Sequence, residues 1–178
     1  MEKNSARNRS ILEWFDSVVF ALVFLVVLFT FFVRIAAVRG SSMETTLQGG
    51  DRILLQQIGY TPHRGDIVVL DDRIDYGTPL VKRIIAMGGD TVDIDFEAGE
   101  VFVNGEKLEE PYIKDPTRLY EGTDFPLTVP EGHVFLMGDN RMGSKDSRHP
   151  DIGCIDERDI LGRGFFRVFP LQKWGTIH

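Results

Sequence analysis

Apolar positions are unevenly distributed along the chain. From Ser17 to Val33 the sequence SVVFALVFLVVLFTFFV contains no charge, no Gly and no Pro. A helix this apolar on all sides is a poor fit to a small soluble domain. At about 1.5 Å per residue, with flanking residues to Val38, it spans about 30 Å of hydrocarbon. Trp14 and Phe15 precede it at the expected interfacial depth, and Arg34 follows where its stem can snorkel to the headgroups. The next residues, RIAAVRG, are broken by Arg34 and Arg39 and poorly suit a small-residue cleavage site, so the span reads as uncleaved. Lys3, Arg7 and Arg9 favour the N-terminus inside. The predicted organisation is a cytoplasmic segment over 1–16, a transmembrane anchor over 17–38 and an extracytoplasmic domain over 39–178.

After residue 40 the period changes. ILL (Ile53–Leu55), DIVVL (Asp66–Leu70) and LVKRIIAM (Leu80–Met87) read as strands. TVDIDF and EVFVNGEKL alternate at period two, with Asn104–Gly105 as a hairpin turn. HVFLMGDN and ILGRGFFRVF add two more strands, and no long amphipathic helix is indicated. The domain is expected to be mainly β. The stretch from Glu109 to Pro130, rich in Pro, Asp and Gly, reads as a long surface excursion. The C-terminal GFFRVFPLQKWGTIH brings Phe165, Phe166, Phe169 and Trp174 together, and Trp174 with one or more of these Phe residues is expected to face lipid.

Composition narrows the chemistry. The net charge is −7, and residues 1–40 hold more Lys/Arg than Asp/Glu, so the outer domain is acidic and unsuited to nucleic-acid backbones. Cys154 is the only cysteine, which rules out an internal disulfide. His63, His133, His149 and His178 are scattered, with no triad or zinc spacing. No G-x-S-x-G elbow is present, and the Asp139–Asp146 loop lacks calcium-ligand spacing. Lys82 interrupts an apolar strand. On a solvent face it would be an ordinary surface lysine. In an apolar cleft, desolvation would lower its pKa, and a shift of about 2 units leaves it half neutral near pH 8. A neutral amine is a competent base for a serine hydroxyl. Ser41 and Ser42 lie in a Gly-Ser-Ser-Met turn just beyond the apolar span, and taken alone they are ordinary loop serines.

Taken in order, the anchor, GSSMETTL, RGDIVV, VKRIIAMGGD and GDNRMGSKDSR resemble the type I signal peptidase (bacterial leader peptidase) family. The resemblance implies a coiled, largely antiparallel β-sheet catalytic domain behind one N-terminal transmembrane helix, in the bacterial cell membrane. It implies Ser42 as nucleophile, Lys82 as general base and Ser144 as the hydroxyl that hydrogen-bonds the lysine amine. Gly40, Ser41 and Met43 would lie against the oxyanion and the substrate. Arg83, Gly138, Asp139, Asp146 and Arg148 would support the site, Asp146 and Arg148 by an ion pair with each other or with Arg83. Preproteins carrying signal peptides are the implied partners, cut by a monomer at a lipid surface without metal, cofactor or nucleic acid. Three positions depart from the family pattern. Thr45 stands where proline is usual, Gly88 replaces the proline of Pro-Gly-Asp, and Gly40 lacks the hydroxyl that some members direct into the oxyanion hole. The alternatives are a Ser–Lys self-cleaving repressor-type protease, for which no DNA-binding module is present, and an inactive membrane-anchored homologue.

Overall fold

The computed structural model describes the backbone of residues 2–31, 33–71 and 79–178, and side chains over 13–27, 34–71 and 79–178. The chain divides into a unit over Met1–Arg34 and a larger unit over Ile35–His178. The first is helix α1 (Glu2–Phe31). Its described side chains, Trp14, Phe15, Phe20 and Phe24 among them, are exposed except for the half-buried Val18. Among the described residues, no helix is long and apolar enough to cross a membrane. Lys3, Arg7 and Arg9, and residues 28–33 of the apolar run, lie outside the described side chains. The helix stops at Phe31, and Val33–Ala37 form strand β1 rather than a continuation toward Val38.

The larger unit holds two sheets, and every register described in them is antiparallel. The main sheet contains β1, β2 (Arg52–Gln56), β3 (Ile67–Leu70), β4 (Val81–Met87), β9 (His133–Met137), β10 (Ile155–Asp156), β11 (Ile160–Phe169) and β12 (Gly175–Thr176). Its order is β1-β2-β11-β3-β4-β9-β10, with β12 also on β11. The second sheet contains β5 (Thr91–Asp95), β6 (Glu100–Val103), β7 (Glu106–Lys107) and β8 (Leu127–Thr128), in the order β7-β6-β5-β8. Asn104 and Gly105 both take positive φ, 56° and 80°, as the expected two-residue hairpin requires. All seven longer strands read from the sequence are present. β8, β10 and β12 each have two residues, too few to produce a period.

β4 lies between β3 and β9, and Val81–Ala86 are all buried. Its near-continuous apolar sequence fits a strand covered on both faces. Val81 joins Met43, Leu47 and Ile53 in one cluster, Ile84 joins Val68 and Leu136 in a second, and Ile85 joins Val92 and Phe135 in a third. The 109–130 stretch is not merely a surface excursion: Thr117 and Val129 are fully buried, and β8 extends the second sheet.

Candidate active site

Ser42 sits in a run of turns after β1. Met43 and Leu47 fix that run by burying their side chains against Ile53, and Leu47 N–H donates to the Met43 carbonyl at 2.8 Å. Gly40 takes φ +71°, a conformation that disfavours other residues. Ser42 is half-buried at a cleft of about 350 Å³, lined by Arg39, Gly40, Ser41, Ser42, Leu80, Lys82, Gly143 and Lys145. Met43, expected against the substrate, is buried in the core and is not among those residues.

Lys82 is 4% exposed and pairs with Val68 of β3. Burial pushes its ammonium down to about pKa 8; the Asp146 charge opposes this and the Arg148 charge assists it. The group that the sequence expectation required to be half neutral near pH 8 is thus buried beside the Ser42 cleft.

The Gly138–Arg148 loop closes on the Ser42 turn. Asn140 N–H donates to the Ser42 carbonyl at 3.0 Å, and its side-chain amide donates to the Ser41 carbonyl at 3.1 Å. A Cβ at Gly138 would lie 2.2 Å from Ser144 Oγ and 2.4 Å from the Ser42 carbonyl oxygen, so only glycine permits this approach. Ser144 is buried in the same place, but its Oγ has no hydrogen-bond partner. The expected Ser144–Lys82 hydrogen bond is therefore not formed; the hydroxyl packs against Gly138 instead.

Two buried ion pairs brace these segments. Arg83 Nε and Nη2 donate to the two oxygens of Asp139 at 2.8 and 2.7 Å, and Nη1 donates to the Gly65 carbonyl. Arg148 Nε and Nη2 donate to Asp146 at 2.8 and 2.9 Å, while Asp146 also accepts from Gly138 N–H at 2.9 Å. Arg83 thus takes Asp139, not Asp146, and the expected Asp146–Arg148 pair is present.

Sequence reasoning missed Glu110, Tyr112 and Glu121 of the excursion. Glu110 pairs with Arg141, the Tyr112 ring covers Arg83, and the Glu121 carboxylate lies 3.4 Å from Arg148 Nε. Burial raises the Glu121 pKa. Their only sequence signal is acidic and aromatic residues within an otherwise turn-like stretch. Among the described residues, no group of three or more His, Cys, Asp or Glu side chains is placed to hold a metal ion.

The family model described as "Signal peptidase, peptidase S26" matches residues 11–169. The chain belongs to the signal peptidase S26 family. It is 34% identical to signal peptidase I of Bacillus licheniformis, over 97% of this chain and 96% of that one. It is 33% identical to signal peptidase IB of Staphylococcus aureus strain COL, over 94% of each. A crystal structure of a signal peptidase I from Enterococcus faecalis V583 is 29% identical and covers 58% of this chain and 97% of that one, with a TM-score of 0.49. As a member of the signal peptidase S26 family, the chain is a peptide-bond hydrolase acting as a signal peptidase.

Proposed function

We propose that the chain cuts membrane-held preproteins by a Ser42–Lys82 dyad. The observation that carries this reading is a lysine with a pKa of about 8, buried beside the cleft that holds Ser42. Neutral Lys82 Nζ takes the Ser42 hydroxyl proton as Oγ adds to the scissile carbonyl. The resulting ammonium returns that proton to the leaving amine as the C–N bond breaks. Water then adds to the ester as it loses a proton to Lys82, and the ammonium passes that proton to Ser42 Oγ as the acyl C–O bond breaks, which restores the hydroxyl and the neutral amine. Backbone N–H groups around Gly40–Ser42 are the available oxyanion donors, since Gly40 supplies no hydroxyl.

In this reading the apolar part of α1 anchors the enzyme, with the N-terminus cytoplasmic and the β unit outside. Support comes from the uncharged run Ser17–Val33 and from the basic residues ahead of it. The Ser42 turn follows that run by only a few residues, which favours a site close to the lipid surface.

The test is to incubate detergent-solubilised protein with a preprotein and sequence the new N-terminus. The parent is expected to release the mature chain, whereas Ser42→Ala and Lys82→Ala each reduce cleavage to background while remaining folded. Near-normal turnover by either variant would remove the dyad.

A further inference from the structure

Tyr112 touches two of the three sequence segments that build the candidate site, and it reaches the third through Glu110. Its backbone carbonyl accepts from Thr45 Oγ1 at 2.7 Å, three residues after Ser42. Its ring lies 3.9 Å from the Arg83 guanidinium carbon, one residue after Lys82. Its hydroxyl donates to Glu110 at 3.2 Å. Glu110 in turn pairs with Arg141, whose Nε donates to the Gly138 carbonyl at 3.1 Å. The chain of contacts therefore ends at the glycine against which the Ser42 carbonyl packs.

These contacts differ in strength. Arg83 is 2% exposed and its edge is held by Asp139 and Gly65, so the ring is seated on a fixed cation. A desolvated cation–π contact is among the stronger of its kind. The Thr45 bond is exposed, and water competes for it. Tyr112 is thus anchored on β4 and holds the Ser42 turn through Thr45, at the position where the family pattern usually has a proline.

We propose that Tyr112 is a positioning residue that sets the Ser42 turn relative to Lys82. Thr45 is the point at which it grips that turn. The proposal rests on the dyad reading, and its test separates the two. Tyr112 acts on geometry rather than on binding, so its loss is read in the chemical step. A misplacement of the reacting atoms by about 1 Å costs up to about a hundredfold in rate.

The experiment uses the full chain in detergent with a signal-peptide-containing peptide. Enzyme is in saturating excess, so an unfolded fraction does not lower the single-turnover rate. Tyr112→Ala is expected to slow this rate by about tenfold to a hundredfold, with KM changed by less than about threefold. Tyr112→Phe, which keeps the ring on Arg83 that Tyr112→Ala removes, is expected to stay within about threefold of the parent. Thr45→Val is expected to lose part of the rate, and the Thr45→Val/Tyr112→Ala double variant to lose no more than Tyr112→Ala alone. The midpoint of the pH–rate profile stays in place while its plateau drops. A Tyr112→Ala rate like the parent's overturns the proposal, as does a shifted midpoint with an unchanged plateau or full additivity with Thr45→Val. If Ser42→Ala also cleaves normally, the dyad reading itself has failed. If Ser42→Ala is inactive and Tyr112→Ala is normal, only the role of Tyr112 falls.

Discussion

Lys82 is where burial becomes chemistry. Val81, Ile84, Ile85 and Ala86 of β4 are apolar and buried, Arg83 is buried in a pair with Asp139, and β3 and β9 flank the strand. The charged form loses hydration, and the pKa falls from 10.5 to about 8. In the proposed dyad Lys82 is the base, and below that value it is increasingly protonated. The single-turnover rate is therefore expected to fall by about tenfold per pH unit below pH 8 and to level off above it. A profile flat from pH 6 to 9 would exclude Lys82 as the base. The same shift acts on stability. Between about 8 and 10.5 the unfolded chain holds the proton and the folded chain does not, so this group's contribution improves as pH rises through that window. Below it, burying the ammonium costs about 3 kcal/mol. Lys82→Met is accordingly expected to be more stable than the parent by about 1–3 kcal/mol at pH 7, with the gain shrinking toward pH 10.5. Thermal melts in detergent across that range measure it; a constant difference, or none, would contradict the assigned cause.

Elements meet at the site through one crowded crossing. β9 ends at Met137, and Gly138 then runs against Ser144 and the Ser42 carbonyl. Gly138→Ala must move either the Ser42 turn or the Ser144 side chain. Overpacking of this kind costs about 1–3 kcal/mol. Because the displaced atoms belong to the turn that carries Ser42, the proposed nucleophile, activity is expected to fall far more than stability. Paired melting and turnover measurements check this, and a Gly138→Ala enzyme of parental activity would show that the crossing is looser than it looks. The neighbouring ion pairs are of a different kind. Arg83 and Asp139 are both buried, so their pairing chiefly prevents an uncompensated charge and holds β4 to the loop after β9.

At the scale of the molecule, the Ile35–His178 unit keeps an apolar surface along its C-terminal segment. Phe169, Leu171 and Trp174 are 52%, 70% and 64% exposed, and the Phe166 ring stands edge-on to Trp174 at 5.9 Å. Arg52 lies over the Phe169 ring, and Lys173 adjoins Trp174, which suits a headgroup region. The chain has two tryptophans, Trp14 and Trp174, so a variant starting at residue 33 keeps β1 and carries Trp174 alone. Its fluorescence is expected to shift to the blue and to gain protection from a soluble quencher when vesicles are added. No change in either would mean that Trp174 stays in water.

Local pattern determined a good deal by itself. Period-two alternation and the Asn104–Gly105 turn specify β5, β6 and their hairpin, because a strand and its turn are set by adjacent residues. The apolar positions around Lys82 pointed to a strand, but whether the lysine faced water or an apolar cleft, and so whether its pKa fell, was left for the tertiary structure to decide. The order of motifs also pointed to Ser42 and Lys82 before any geometry was known. Tertiary structure decided which charges pair. Arg83 meets Asp139, 56 residues away, and Arg141 meets Glu110, 31 residues away, contacts that no local period encodes. It also turned part of the 109–130 stretch from a surface loop into a clamp, because Glu110, Tyr112 and Glu121 gain partners only when β4, the Ser42 turn and the 138–148 loop have converged. Ser144 shows the same division. Its motif placed it at the site, but whether its hydroxyl reaches Lys82 or packs on Gly138 depends on how elements far apart in sequence come together.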